Sequence, residues 1–265
     1  MPWVDIGVNL TNERMNVDSI LLRAKEAGIA NILVTGTSVS ESQKALQLTQ
    51  QHPQFLYSTA GVHPHYAADV ETDFIAQLKH IASHKNVVAI GECGLDFNRN
   101  FSPRQRQLDV FEQQLNLAAI LQKPVFLHER DAFAEQIELL QHYRPSLCGG
   151  VVHCFTGNLA QMQAYLELDL YIGITGWVCD INRGQTLRDA VSLLPLERLL
   201  LETDSPYLRP KGLANNRKID GGSNEPAYLP YIAEQLSHLM GVELAAVEEQ
   251  SFVNSQQLFG SLGQG

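Results

Sequence analysis

Residues 87–92 read VVAIGE, an apolar and largely β-branched run that ends on a carboxylate. Such a run is typical of a strand that is buried on both faces, as parallel strands are in α/β proteins. Three further runs end in the same way, on a side chain that can bind a metal ion. They are KPVFLHE (123–129), GGVVHC (149–154) and RLLLETD (198–204), which present His128, His153 and Asp204.

Runs of this kind recur along the chain and alternate with amphipathic stretches. In one such stretch Leu108, Phe111 and Leu115 repeat every three or four residues, as on one face of a helix. Eight strands alternating with helices predict an α/β fold, a (β/α)8 TIM barrel forming one domain over 1–265. The predicted strands lie at about 3–10, 30–36, 55–62, 87–92, 124–128, 149–154, 170–174 and 198–201, and two closing helices near 227–240 and 243–259.

The four metal-binding side chains stand at equivalent positions of this predicted barrel. Because the carboxyl ends of parallel strands meet at one face, Glu92, His128, His153 and Asp204 should surround a single spot. Each residue also has an ordinary structural explanation: Glu92 could pair with Arg99, and Asp204 could cap a turn. Four such coincidences are less plausible than one site. The sequence therefore predicts a divalent-metal centre in a hydrolase of the amidohydrolase-like type.

The first strand departs from the usual ligand pattern of metal-dependent barrel hydrolases. Such proteins usually offer a His-x-His pair there, whereas this chain has Gly7 and Asn9 within the segment DIGVN. Glycine supplies no ligand, and a neutral amide oxygen is a weak one. We therefore expect one well-held ion and, at most, a loosely held second one.

Composition restricts the functional classes. The chain has 265 residues, of which 45% are hydrophobic, so one large domain with a substantial core is expected. The net charge is −10, from 19 basic and 29 acidic side chains. Such a surface argues against a protein that binds duplex DNA through a broad basic face, but permits a nuclease whose cations line only the cleft.

The cysteines and the apolar runs predict a cytoplasmic protein. The four cysteines form no CxxC pair, which favours a reducing compartment with the thiols as small buried hydrophobes. No apolar run reaches the roughly 18 residues that a membrane span needs, and the first ten residues have no basic leader character. We expect a monomer without contact to membranes.

Further polar and aromatic residues follow the predicted strands and are candidates for substrate binding. His63 and His65, in GVHPH, could contact a scissile phosphate, or one could protonate the leaving group. Trp177 could stack a base, and Glu225 could pair with one of the loop arginines and order the long segment 205–226. Each of these residues has an ordinary structural alternative. The arginines that could clamp phosphates are Arg99, Arg130, Arg209 and Arg217.

Seven segments, in order along the chain, resemble the signature blocks of the TatD family of metal-dependent deoxyribonucleases. Within that family, the Gly-x-Asn start of this chain is similar to members that lack the His-x-His pair. The segments are AGVHPH (60–65), IGECGLDF (90–97), PVFLHERD (124–131), VVHCFTG (151–157), YIGITGW (171–177), LLLETDSPYL (199–208) and NEPAYLP (224–230).

The resemblance implies a Mg²⁺-dependent 3′→5′ exonuclease that prefers single-stranded DNA and also degrades RNA, with a role in DNA repair. It carries the family's metal ligands onto Glu92, His128, His153 and Asp204, with Glu92, Asp204 and His63 as catalytic residues. His63, His65, Arg130, Arg209 and Trp177 are then the candidates for contacting the substrate.

The chemistry of the residues leaves the metal and the substrate open. Two imidazole ligands by themselves favour Zn²⁺ or Mn²⁺ over Mg²⁺. The same barrel and ligand types also suit hydrolysis of a small cyclic amide, although Lys123 stands at the wrong end of its strand to serve as a carboxylated bridging lysine. A third possibility is a barrel that binds a partner and has no catalytic activity. The intact set of four candidate metal ligands argues against it.

Overall fold

The computed structural model describes residues 2–213, 222–260, 262 and 263. Within them, eight parallel strands form one sheet in which each strand pairs with the next along the chain. This order confirms the predicted (β/α)8 barrel. The strands are β1 (Trp3–Val8), β2 (Ile29–Val34), β3 (Leu56–Ala60), β4 (Val87–Asp96), β5 (Val125–Arg130), β6 (Gly150–Val152), β7 (Tyr171–Ile174) and β8 (Leu199–Leu201).

Helices follow the strands and cover the outside of the barrel. None of the described helices is long and apolar enough to cross a membrane. The helices are α1 (Val17–Glu26), α2 (Val39–Gln51), α3 (Phe74–Ala82), α4 (Arg104–Leu121), α5 (Phe133–Tyr143), α6 (Leu159–Glu167), α7 (Gln185–Val191), α8 (Leu229–Met240) and α9 (Leu244–Phe259).

The barrel closes between β8 and β1 through loop backbone and one buried side chain. Val8 and Ser205 form an isolated parallel bridge, and the backbone N–H of Asn9 donates to the carbonyl of Ser205 at 2.8 Å. Below this bridge, the fully buried Asp5 accepts hydrogen bonds from the backbone N–H of Thr203 at 2.9 Å and from its hydroxyl at 2.6 Å. The Asp5 carboxyl group thus links β1 to the segment after β8 by hydrogen bonds, as backbone pairing links the other neighbouring strands.

Two apolar layers hold the barrel together. Inside it, Ile6, Leu33, Phe126 and Leu200 pack in one cluster, which Phe259 of α9 also joins. The larger layer lies between the strands and the surrounding helices. Burial on both faces explains why the strand segments are apolar almost throughout.

Three sequence expectations differ in detail from the structure. β4 continues to Asp96, four residues beyond the predicted end, because it stays paired with β5 up to Arg130. α8 begins at Leu229, since a 3-10 turn occupies Pro226–Tyr228. All four thiols are free, but Cys148 is exposed and Cys154 is only partly buried, so the prediction of buried thiols is correct only for Cys93 and Cys179.

Candidate metal centre

Glu92 lies at the centre of a group of imidazoles at the mouth of the barrel. Its Oε1 is 2.9 Å from His128 Nδ1, 2.9 Å from His153 Nε2 and 3.4 Å from His63 Nε2. The four side chains come from β4, β5 and the segments that follow β6 and β3. Three of the four residues predicted to surround one spot therefore lie together, namely Glu92, His128 and His153, and His63 joins them.

The donor set fits a divalent metal ion. Glu92, His63 and His128 each offer one ligand atom, and these three atoms all lie within 4.8 Å of one another. Imidazole nitrogens together with a carboxylate oxygen are typical first-row metal ligands. His63 was expected at the substrate, but the structure places it among the candidate ligands.

Asp204 lies at the edge of the same cleft, close to the first strand. The Asn9 side-chain amide donates to Asp204 Oδ1 at 3.0 Å and to the Ser205 carbonyl at 3.3 Å. Asn9, which replaces one histidine of the His-x-His pattern, thus acts here as a hydrogen-bond donor that orients a carboxylate.

The charges of this group depend strongly on one another. Burial would raise the pKa of Glu92, but the charge of His153 and the hydrogen bonds from His128 and His153 outweigh it and hold that pKa well below its ordinary value. Burial would lower the pKa of His153, whereas Glu92 and Glu202 raise it well above the ordinary value. The carboxylate of Glu92 and the imidazole of His153, 2.9 Å apart, thus each favour the charged form of the other.

Burial shifts the pKa values of two other groups in the direction that favours their neutral forms. Burial lowers the pKa of His63 to about 3, against the attraction of Glu92, so this imidazole is uncharged at pH 7. Burial raises the pKa of Asp204 to about 7, with His153 opposing the shift. A neutral imidazole has a free lone pair, which suits His63 to bind a cation.

Glu202 is a residue of this centre that the sequence reasoning missed. It is fully buried, accepts a hydrogen bond from the Cys154 backbone N–H, and has Oε2 3.1 Å from His153 Nδ1. It therefore fixes the ring whose Nε2 faces Glu92. Its position two residues before Asp204 could have revealed it, because side chains at such a spacing share one face of an extended segment.

Two glycines leave the room that the Glu202 carboxylate occupies. A Cβ added to Gly7 would collide with Glu202 Oε2, and one added to Gly173 would lie 2.6 Å from Glu202 Oε1. The glycine in the first strand, which looked like the loss of a ligand, thus leaves space for a buried carboxylate that directly follows β8.

Asp96 is a second residue that was missed, because β4 was expected to end at Glu92. Its Oδ2 is 2.7 Å from His65 Nε2 and 3.5 Å from His128 Nε2. His128 Nε2 is buried and has no hydrogen-bond partner among the described atoms. The two ring nitrogens of His128 therefore face two different carboxylates, Glu92 and Asp96.

A cleft of about 700 Å³ opens over this centre. Besides the charged group, it is lined by residues at the end of β5 and in the loops after β1 and β8, among them Arg130, Arg14 and Tyr207. Arg130, which was expected in the loop after β5, is exposed and is the last residue of that strand. Its contact with substrate remains a prediction.

Two other predicted substrate residues lie outside the described lining of the cleft. The Trp177 ring is half-buried beneath the Arg183 guanidinium, 4.5 Å from it. Arg209 donates to the Tyr228 hydroxyl at 3.0 Å. The roles of Trp177 and Arg209 in binding remain predictions, and Arg217 lies outside the described residues.

The prediction that Glu225 pairs with an arginine of the loops after β4, β5 or β8 was wrong. Instead of a loop arginine, Glu225 binds Arg23 of α1 through a two-pronged contact, with Nη2 2.6 Å and Nε 2.8 Å from its oxygens. The pair joins the segment before α8 to α1. Sequence distance hid it, because the partners are 202 residues apart.

The chain is similar to known proteins along nearly its whole length. Residues 4–260 match the family of TatD related DNases. A protein of Erwinia amylovora named 3'-5' ssDNA/RNA exonuclease TatD is 48% identical over 258 residues, which cover 97% of this chain and 99% of that protein. A protein of the same name from a Rahnella species is 48% identical over 257 residues, covering 96% of this chain and 97% of the relative.

Solved structures show the same fold. A TatD family hydrolase of Entamoeba histolytica superposes with a TM-score of 0.88 at 25% identity, covering 98% of this chain and 99% of that one. The Escherichia coli TatD homologue YJJV gives 0.87 at 28% identity, with 98% of both chains covered. A dihydropyrimidinase of Brevibacillus agri, at 11% identity and 0.63, covers 98% of this chain and 72% of its own length, and shares the fold alone. The chain belongs to the family of TatD related DNases.

Proposed function

We propose that this protein is a metal-dependent 3′→5′ exonuclease that hydrolyses phosphodiester bonds of single-stranded DNA and also of RNA. The observation that carries the proposal is the position of Glu92 within 3.4 Å of three imidazoles, under an open cleft, in a chain of this family. The names of the curated relatives support the same substrate and polarity.

The residues that would hold the ion are Glu92, His128, His153 and Asp204, with His63 close enough to join them. A divalent ion bound there would polarise a phosphate oxygen, lower the pKa of a water molecule and offset charge on the leaving oxygen. We propose Mg²⁺ from the family resemblance, although several imidazole donors favour Mn²⁺ or Zn²⁺.

Side chains of the protein would accept the proton of the attacking water, contact the substrate and position the metal ligands. Asp204, a carboxylate at the ion whose Oδ1 accepts from the Asn9 amide, is the natural acceptor for the proton of the attacking water. His63 is neutral at pH 7, so it would contact the substrate or the ion through a lone pair or an N–H group rather than as an imidazolium acid. Glu202 and Asn9 position His153 and Asp204 through hydrogen bonds.

The distribution of charge supports a substrate held by few contacts. Of the cations that line the cleft, Lys44 is paired with Glu41 at 2.7 Å. Arg14 and Arg130 line the same cleft, and neither has a carboxylate within 4 Å in the part of the chain that is described. Two guanidinium groups and an ion suffice for a short single strand, whereas a duplex would also meet the acidic surface.

The alternative as a cyclic amide hydrolase gains no support from the site. Lys123 donates to the Val87 carbonyl, at the amino end of β4 and away from the cleft. It is therefore remote from the position of a bridging carboxylated lysine. We further propose a cytoplasmic monomer that acts in DNA repair, and the four free thiols support a reducing compartment.

The test is degradation of single-stranded oligonucleotides labelled at the 3′ or 5′ end, by metal-free protein titrated with Mg²⁺, Mn²⁺ or Zn²⁺. We expect stepwise shortening from the 3′ end that stops with chelator. Glu92→Gln should lower the rate by orders of magnitude, whereas Glu197→Gln, at an exposed carboxylate before β8, should not. Metal-independent degradation, or a folded Glu92→Gln variant with normal activity, would refute the proposal.

A further inference from the structure

One aromatic side chain at the mouth of the barrel is exposed and yet held in a defined orientation. Tyr207 is 45% exposed, lines the cleft and lies three residues after Asp204. Its backbone N–H donates to the Asp204 carbonyl at 3.0 Å, and its hydroxyl accepts from the Asn12 amide at 3.2 Å. Much of this aromatic ring is therefore open to a ligand in the cleft beside the candidate metal centre.

Arg14 lies against this ring. Its guanidinium is 5.1 Å from the centroid of Tyr207, and its backbone N–H donates to Asn12 Oδ1 at 3.0 Å. Asn12 therefore ties both side chains into one cluster, in which the loop after β1 meets the loop after β8. In the described part of the chain, no acidic side chain pairs with Arg14.

The cluster has the two features by which proteins hold single-stranded nucleic acids. A base stacks on an aromatic ring whatever its sequence, and a cation beside the ring binds the phosphate backbone. In the strand order, β1 and β5 are four strands apart in either direction. The Arg14 loop and Arg130 therefore stand on opposite sides of the metal centre.

We propose that Tyr207 and Arg14 form a nucleotide subsite beside the scissile bond. A base stacks on the ring face that Arg14 does not cover, and the Arg14 guanidinium binds a phosphate adjacent to the scissile one. The inference rests on the proposed nuclease function and adds a reason for single-strand preference, because a base can reach the ring only when it is unpaired.

The test removes the ring from the protein and the base from the substrate, separately and together. Variants Tyr207→Ala and Tyr207→Phe are assayed on a single-stranded oligonucleotide and on versions with one abasic residue at the last or the penultimate 3′ position. We expect Tyr207→Ala to lower kcat/KM about tenfold on the normal strand. On the abasic strand that lacks the stacked base, Tyr207→Ala should lower kcat/KM no further. The kcat/KM of Tyr207→Phe, which keeps the ring, should stay within about twofold of wild type.

Arg14 is tested through salt dependence. Arg14→Ala should weaken binding of a single strand and reduce the slope of log affinity against log salt by about 0.7, the value for one phosphate. Lys25→Ala is the matched control, since Lys25 lies over the Phe55 ring at 4.8 Å, at the amino end of β3 and away from the cleft. It should leave the slope unchanged.

The outcomes separate this inference from the function on which it rests. Wild-type protein that does not degrade single strands refutes the nuclease proposal. If wild type is active, three results would overturn the subsite. Tyr207→Ala could have a normal kcat/KM, or its loss could multiply with the loss from the missing base on every abasic strand. The third is an unchanged salt slope in Arg14→Ala. Calorimetric Mn²⁺ affinity of Tyr207→Ala must equal that of wild type, and a lower affinity would instead assign the residue to positioning Asp204.

Discussion

The Glu202 carboxylate fills the space that any side chain at Gly7 would need. A Cβ at residue 7 would collide with Glu202 Oε2, and the same carboxylate faces His153 Nδ1 at 3.1 Å. A first-strand histidine at this position would displace the group that orients a candidate ligand. We therefore expect this barrel to hold one ion tightly, because Glu202 occupies the space that a ligand at residue 7 would need.

Steric coupling between residues 7 and 202 gives the first prediction. Gly7→Ala should lower the free energy of unfolding by about 1–3 kcal/mol, because the methyl group forces the buried carboxylate to move. In a Glu202→Ala background the same change should cost little. Denaturant unfolding of the four proteins measures the coupling, and additive effects would show that the two residues do not compete for space.

The second prediction concerns the support of His153. Glu202→Gln removes the charge that faces Nδ1 while keeping the volume, so metal affinity should fall about 10- to 100-fold with the fold intact. Isothermal calorimetry with Mn²⁺ measures this. The exposed Glu197→Gln is the control and should bind as wild type does; equal affinity in both variants would remove Glu202 from the centre.

Metal binding should depend on pH through Asp204. Burial raises the pKa of Asp204 from its ordinary 3.8 to about 7, so the metal-free fold keeps a proton that the unfolded chain releases. That proton stabilises the metal-free fold at low pH, and its contribution is lost as pH rises from about 4 to about 7. A metal ion needs the carboxylate, so its affinity should rise over the same range.

Proton release can be counted directly for this third prediction. Calorimetry at pH 6 in buffers of different ionisation enthalpy gives the number of protons displaced by Mn²⁺. Asp204→Asn should release about one proton fewer than wild type. An unchanged count would mean that Asp204 is already ionised at pH 6, or does not meet the ion.

The fourth prediction concerns the seam of the barrel. Asp5→Ala leaves the buried N–H and hydroxyl of Thr203 without an acceptor, so the free energy of unfolding should fall by about 1–3 kcal/mol. Asp109→Ala, at an exposed carboxylate on α4, should change it by less than about 0.5 kcal/mol. Equal stabilities would show that the backbone contacts of Ser205 close the barrel alone.

The pattern of residues along the chain was enough to predict the barrel and the approximate place of its site. Apolar runs such as VVAIGE mark buried parallel strands, and the ends of such strands meet at one face whatever their side chains are. For this reason the sequence was enough to predict that Glu92, His128 and His153 lie close together in the fold. Where a strand ends depends on its pairing with the neighbouring strand, which the pattern of residues does not report. The extension of β4 to Asp96 was therefore not predicted.

The identity of the side chains that share the space of the centre depends on long-range packing and could not be predicted. Gly7 and Glu202, Arg23 and Glu225, and Arg14 and Tyr207 each join residues about 190 or more positions apart in sequence. Periodicity reports which face of a strand or helix a residue occupies, and it carries no information about which distant loop lies against that face. The exclusion of a first-strand ligand by Glu202 depends on that packing, because two side chains cannot occupy one volume.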